Sequence, residues 1–156
     1  MKPNASAQKV LDRINADELV KLALDLANID SPSGREGEVS QYVYDWLLRH
    51  SFAPQKLGLL PDRSNVVASL PGQGRGRSLI FNSHLDTTIA KEEIWTTRRA
   101  ADPIFHSAWR EGDVLVGNGI CNDKGPMAAW LTAANAIRET DTALKGDLVL
   151  TAVVGE

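Results

Sequence analysis

Apolar residues recur at helical spacing in three stretches of the chain. Between Asp17 and Ile29 they fall at i, i+3, i+4 and i+7 behind Asp17 as a capping residue, so an amphipathic helix is predicted there. A second stripe predicts a helix from about Arg35 to His50. A third predicts one from Pro126, which suits a first helical turn, to Arg138.

Runs of apolar residues outside these helices predict strands that are buried on both faces. The four predicted strands are Asn65 to Leu70, Ser78 to Ser83, Asp113 to Val116 and Asp147 to Val154. Together with the amphipathic helices they indicate an α/β fold with a mixed, mostly parallel sheet flanked by helices. We expect the first, second and fourth strands to share one sheet, with the third helix packed on it.

Composition and charge narrow the classes of function. The chain has 156 residues, 43% of them hydrophobic and 24% charged, which suits one globular domain. Its net charge of −3 comes without a basic cluster, so neither nucleic acid nor a membrane surface is an expected partner. No apolar run reaches roughly 18 residues, and the first residues lack the apolar core of a signal peptide. We therefore expect a cytoplasmic protein that acts on small molecules.

Polar residues follow three of the predicted strands at the point where each strand ends. His84 and Asp86 follow the second strand, the loop Gly117 to Gly125 follows the third, and Glu156 follows the fourth. Each cluster alone has an ordinary explanation, namely a surface hydrogen-bonded pair, a tight turn or a solvated chain end. Ligands of open α/β sheets gather at the carboxyl ends of strands, and imidazole and carboxylate are ligands of divalent cations. Their recurrence therefore favours a metal site.

The glycine-rich loop does not match the common nucleotide-binding motifs. A dinucleotide-binding loop has a third glycine where Asn122 stands, and a P-loop has its lysine before a serine or threonine, whereas Lys124 precedes Gly125. A Gly-x-Ser-x-Gly nucleophile motif is absent from the sequence. Cys121 in this loop is interpreted as a buried structural thiol rather than a ligand.

Five segments, taken in order, resemble the amino-terminal part of the catalytic domain of the M20 metallopeptidase family. They are IDSPSGRE, NVVASLPG, SHLDT, GNGICNDKGPMAAW and VVGE. The resemblance as a whole covers nearly the entire chain, from about Asp17 onward. It implies a zinc-exopeptidase-like sheet and the hydrolysis of amide bonds in small peptides or N-acyl amino acids. It also implies one or two divalent ions, with zinc expected and cobalt or manganese as substitutes.

The resemblance assigns a role to each residue that matches the family pattern. His84 becomes a metal ligand, and Asp86 becomes the carboxylate that accepts the other imidazole N–H, fixes the tautomer and raises the basicity of the ligand. Glu156 stands where the family keeps its general base, which takes a proton from water activated by the metal. Asp86 and Glu156 are therefore the candidate catalytic residues.

One position departs from the family pattern. The loop of the family has an aspartate that bridges two metals, and here Asn122 occupies that place with Asp123 one residue later. A neutral amide offsets the repulsion between two cations less well than a carboxylate. Three alternatives follow: Asp123 substitutes as the ligand, the site holds one metal, or catalysis is reduced or lost. A cis peptide near Asp123 is expected from the family loop.

The resemblance also implies parts that the sequence does not contain. In the family, further metal ligands and a lid or dimerisation domain follow the segment that matches this chain. We therefore expect residues 1–156 to be the amino-terminal part of a longer catalytic domain, inactive alone, with a homodimer formed through the missing domain. The alternative function is that of a non-catalytic relative that binds a small ligand or a partner subunit.

Overall fold

The computed structural model describes residues 3–60, 62–87 and 102–155, which contain four α-helices, a 3-10 turn (Pro103–Phe105) and a π-helical turn (Ile120–Lys124). The α-helices are α1 (Ala5–Leu11), α2 (Ala16–Asn28), α3 (Gly37–Arg49) and α4 (Gly125–Glu139). The last three confirm the predicted helices to within two residues. The predicted cap of α2 is wrong, because the Asn15 side chain, rather than Asp17, accepts the backbone N–H groups of Asp17 and Glu18 at 2.9 and 3.3 Å.

Six strands complete the described structure. They are β1 (Gln55–Leu60), β2 (Arg63–Leu70), β3 (Leu79–His84), β4 (Trp109–Glu111), β5 (Val114–Val116) and β6 (Leu148–Val153). Four of them form a mixed sheet in the order β1-β2-β6-β3. The mixed sheet flanked by helices is confirmed, and so is the prediction that β2, β3 and β6 share it.

The sheet differs from the prediction in three respects. Its parallel share is smaller than predicted, because β3 pairs parallel with β6 while β1–β2 and β2–β6 are antiparallel. β5 confirms the predicted strand but lies outside this sheet, since the turn at Gly112 folds it back on β4 as a separate hairpin. β3 was expected to be buried on both faces, but it lies at an edge of the four-stranded sheet with Leu79 and Ile80 56% and 62% exposed.

A single apolar core lies between the sheet and the helices. α4 packs on β3 and β6, α3 packs on β2, and α2 packs on α4. Alternate residues of β6 point into this core, with Leu148, Leu150 and Ala152 buried. They meet apolar side chains of all three long helices, among them Leu22, Leu26, Val39, Val43, Met127 and Leu131.

Trp130 fixes α4 to the end of β3. Its indole N–H donates to Ser83 Oγ at 2.8 Å, and both residues are buried. Its ring also stacks on Phe81 with a centroid separation of 6.5 Å. The second turn of α4, which carries Trp130, is thereby held beside the end of β3, where His84 is the last residue. No helix in residues 3–60, 62–87 and 102–155 is long and apolar enough to cross a membrane.

Candidate metal centre

His84 lies at the carboxyl end of β3 with both of its ring nitrogens in polar contact. Nδ1 is 3.0 Å from the backbone oxygen of Asp86 and 3.3 Å from its carboxylate Oδ1. Both neighbours of Nδ1 are oxygens that accept hydrogen bonds, an arrangement that favours the proton of the neutral ring on Nδ1. In that tautomer Nε2 carries the lone pair, which is the form of histidine that binds a metal.

The loop after β5 brings Asn122 against His84. Asn122 is exposed, and its Oδ1 is 3.1 Å from His84 Nε2. The loop reaches this position through Gly117 and Gly119, which have φ values of 149° and 83°, and a side chain on Gly117 would come within 2.5 Å of the Ala108 methyl group. The peptide between Asn122 and Asp123 is cis, as expected. Asp123 itself is half-buried.

Lys124 ties the loop to the end of α2. The residue is fully buried, and its ammonium group donates to the backbone oxygen of Ile29 at 2.7 Å. The backbone N–H of Lys124 also donates to the oxygen of Gly119 at 2.9 Å, which closes the turn that carries Asn122. The lysine is therefore a structural tether between the loop and the end of α2.

The segment between α2 and α3 supports the residues that follow β3. Ser31 Oγ donates to the backbone oxygen of Leu85 at 2.8 Å, and the backbone N–H of Thr87 donates to the oxygen of Ser31 at 2.7 Å. Ser33 Oγ donates to Asp86 Oδ2 at 2.5 Å. Hydroxyl–carboxylate hydrogen bonds are short and stronger than those between neutral groups. Asp86 is thus fixed through both its backbone and its carboxylate.

A buried ion pair lies next to this segment. Glu36 has no exposed surface, and its two carboxylate oxygens accept from Arg63 Nη2 at 2.8 Å and Nε at 2.9 Å. The backbone N–H of Gly34 donates to the same carboxylate at 3.0 Å. Burial by itself raises the pKa of Glu36, but the hydrogen bonds from Arg63 and the backbone, with the charge of Arg63, bring that pKa below its ordinary value.

Arg63 also reaches the end of β6. Its Nη2 is 3.3 Å from the position that a side-chain carbon on Gly155 would occupy, so the guanidinium lies under the residue that precedes Glu156. Glu156 itself lies outside the described residues. The pKa of Arg63 is raised, chiefly by the hydrogen bonds and charge of Glu36. The ion pair therefore joins the segment behind Asp86 to the strand that leads to Glu156.

The structure brings together three of the residues singled out in the sequence. His84, Asp86 and Asn122 are in contact, and Asp123 is next to them in the same turn. No role was predicted from the sequence for Ser33, Glu36 or Arg63, because their partners are distant along the chain. The interpretation of Cys121 as buried is wrong, because the residue is exposed.

The separation of His84 Nε2 and Asn122 Oδ1 bears on whether the two atoms can share a metal ion. At metal–ligand distances of about 2.0 to 2.1 Å, two ligands of a tetrahedral zinc ion lie about 3.3 to 3.4 Å apart. Nε2 of His84 and Oδ1 of Asn122, at 3.1 Å, are close to that separation. Rotation of the amide by half a turn would instead place a hydrogen-bond donor opposite Nε2. The pair fits two ligand positions, and within the described residues no group of three or more His, Cys, Asp or Glu side chains completes a set.

Comparison with known proteins decides the family. The model of peptidase family M20/M25/M40 matches residues 80–156, the part of the chain that holds β3, the loop of Asn122, α4 and β6. The N-formyl-4-amino-5-aminomethyl-2-methylpyrimidine deformylase of Bacillus subtilis (strain 168) is 35% identical over 158 aligned positions, which cover 97% of this chain. The chain belongs to the M20/M25/M40 peptidase family. It spans 35% of the length of that deformylase, about a third.

Solved structures share the fold of this M20 chain. Human carnosine dipeptidase 1 superposes with a TM-score of 0.75 at 23% identity over 97% of this chain and 35% of that one. A dinuclear metal-binding peptidase of family M20 from Bacillus subtilis superposes with a TM-score of 0.55 at 15% identity, over 87% of this chain and 34% of that one. At these identities the likeness concerns the fold.

Proposed function

We propose that the protein is a metal-dependent hydrolase of amide bonds in small peptides or N-acyl compounds. The observation that carries the proposal is the His84 site, where Nδ1 lies 3.3 Å from the buried carboxylate of Asp86 and Nε2 faces the Asn122 amide oxygen at 3.1 Å. Membership of a family of hydrolases supports it.

In this proposal, His84 and Asn122 hold a divalent cation, with Asp123 as the alternative loop ligand. Such a cation would polarise the amide carbonyl and lower the pKa of a water molecule. Asp86 keeps the proton on Nδ1 of His84, so that Nε2 remains an electron-pair donor. Glu156 takes the proton of the attacking water and returns it to the nitrogen of the leaving amine.

Zinc is the proposed ion, with cobalt or manganese as substitutes. The fold neighbour from Bacillus subtilis is a dinuclear metal-binding peptidase, which supports the use of divalent metal by this fold. An amide at Asn122 brings no charge to offset the repulsion between two cations, so we propose one ion rather than two. A second ion requires the carboxylate of Asp123.

The substrate class follows from the relatives. The Bacillus subtilis relative is a deformylase, and the human fold neighbour is a dipeptidase. Both names describe cleavage of a bond between an acyl carbon and an amine nitrogen, and formyl is the smallest acyl group. We therefore propose an N-acyl amine or dipeptide as substrate. A cytoplasmic location and a homodimer remain predictions from the sequence.

A second candidate function rests on Asn122. Loss of the bridging carboxylate favours a relative that binds a ligand at the same site without hydrolysing it. Activity measurements separate the two candidates. The complete gene product, as its cells make it, is incubated with zinc, cobalt or manganese and with a panel of N-formyl, N-acetyl and N-succinyl compounds and dipeptides.

Release of amine that disappears in His84→Ala supports the hydrolase. A protein that binds a product amine or acid at the site but releases none from any member of the panel supports the binding function instead. Amine release that is unchanged in His84→Ala rules out this site for either role.

A further inference from the structure

The carboxylate of Asp86 has two different neighbours. Oδ1 is 3.3 Å from Nδ1 of His84, and Oδ2 accepts the hydroxyl of Ser33 at 2.5 Å. A carboxylate that is bonded at one oxygen cannot turn about its Cβ–Cγ bond without breaking that hydrogen bond. The position of Oδ1 therefore depends on Ser33, a residue 53 positions away along the chain.

We propose that Ser33 is a positioning residue for the His84 site. Its hydroxyl sets the rotation of the Asp86 carboxylate, and this carboxylate, together with the Asp86 backbone oxygen 3.0 Å from Nδ1, keeps the proton on Nδ1 and directs Nε2 toward Asn122. This inference rests on the proposed function, because it assumes that Nε2 of His84 is a metal ligand.

Ser33 itself is held by groups outside the site. Its neighbour Gly34 donates a backbone N–H to the buried Glu36, which is fixed by two hydrogen bonds from Arg63. A segment that is anchored in this way presents the hydroxyl with little freedom to move. The Glu36–Arg63 pair therefore explains why one exposed serine can orient a buried carboxylate.

The exposure of Ser33 makes a purely structural role a poor alternative. Ser33 is exposed apart from this hydrogen bond, and substitutions at exposed positions seldom alter stability. Ser31 provides the matched control. It lies in the same segment, is fully buried, and its hydroxyl donates to the backbone oxygen of Leu85 instead of to the carboxylate of Asp86.

The first test uses the metal-free chain at a pH where its imidazoles are neutral. Long-range nitrogen–proton NMR correlations report which ring nitrogen of His84 carries the proton. We expect Nδ1–H to dominate in the wild-type chain, the Nε2–H form to increase in Ser33→Ala, and Ser33→Thr to restore the wild-type spectrum. Ser31→Ala is expected to lower the melting temperature and to leave the His84 tautomer unchanged.

The second test measures zinc affinity with a competing chelator dye. All variants carry Cys121→Ser, because the exposed thiol is itself a zinc ligand. Removing a partner that orients a metal-ligating histidine typically weakens binding 10- to 100-fold. Ser33 contacts Asp86 rather than His84 itself, so for Ser33→Ala we expect a loss at the low end of this range, about tenfold. Ser33→Thr and Ser31→Ala are expected to stay within about threefold of the parent, far less than the loss in Ser33→Ala.

The two tests separate this inference from the proposed function. If Ser33→Ala matches the parent in both the tautomer and the zinc affinity, or if Ser31→Ala reproduces its changes, the positioning role is wrong. If zinc affinity is unchanged in His84→Ala, the proposed function fails, and the spectra of the metal-free chain still decide the role of Ser33.

Discussion

Ser83→Ala tests the contact that holds the second turn of α4 against the end of β3. In the wild-type chain the indole N–H of Trp130 donates to Ser83 Oγ at 2.8 Å in a buried environment. The substitution removes the acceptor and leaves the N–H in the core, where Trp130 is 7% exposed. A buried donor without an acceptor costs about 1 to 3 kcal/mol.

We expect Ser83→Ala to lower the free energy of unfolding by about 2 kcal/mol. For a chain of this length such a loss corresponds to a fall in melting temperature of roughly 4 to 8 °C. Urea unfolding followed by tryptophan fluorescence and by circular dichroism measures the free energy. Ser69→Ala is the matched control, because Ser69 is exposed in β2 of the same sheet, and its loss should be within about 0.5 kcal/mol.

A double-mutant cycle with Trp130→Phe isolates the hydrogen bond. Phenylalanine keeps an aromatic ring but has no N–H, so Ser83→Ala in that background should cost about 1 kcal/mol less than in the wild-type chain. Equal losses for Ser83→Ala and Ser69→Ala would contradict the reasoning. So would a cycle with no coupling between Ser83 and Trp130.

Two further substitutions test the ion pair and the core. Arg63→Met leaves the buried Glu36 without its cation, so its melting temperature should fall below that of the wild-type chain. The pKa of Glu36 is lowered in the fold, so the stabilisation is present above the unfolded pKa near 4.5 and is lost as the pH falls. The gap between Arg63→Met and wild type should therefore narrow as the pH falls from 7 to 4 in thermal melts, and a gap independent of pH would contradict the pairing. Leu131→Ala removes a fully buried side chain of α4 and should cost about 2 to 5 kcal/mol in urea unfolding, whereas a loss under about 1 kcal/mol would show that the core is placed wrongly.

The long elements could be predicted because their periodic apolar faces are buried in the structure. The stripes of α2, α3 and α4 and the apolar runs of β2, β3 and β6 each correspond to an observed element. α1 was missed because it has no buried residue and hence no apolar stripe. β1 was missed because Gly58 interrupts its short run of leucines, two of which, Leu57 and Leu60, are 50% and 57% exposed.

The candidate site could be predicted only where its residues are neighbours in the chain. His84 and Asp86 are two residues apart, and the glycines of the next loop mark the turn that carries Asn122. Ser33 acts across 53 residues and Arg63 pairs with Glu36 across 27, so neither contact leaves a local pattern. Burial of Glu36 and Lys124 also depends on partners that only the fold supplies, because an isolated charge strongly favours water.

Zinc titration of the chain, with Cys121→Ser throughout, tests most directly whether His84 and Asn122 form a metal site. Two protein ligands give weak binding, so the parent should retain well under one equivalent after dialysis against micromolar zinc. Asn122→Asp supplies a charged ligand and should bind on the order of tenfold more tightly, and His84→Ala should bind none at this site. Tight, stoichiometric zinc that survives His84→Ala would contradict the site, and a loss of affinity in Asp123→Ala but not in Asn122→Ala would show that Asp123 is the loop ligand.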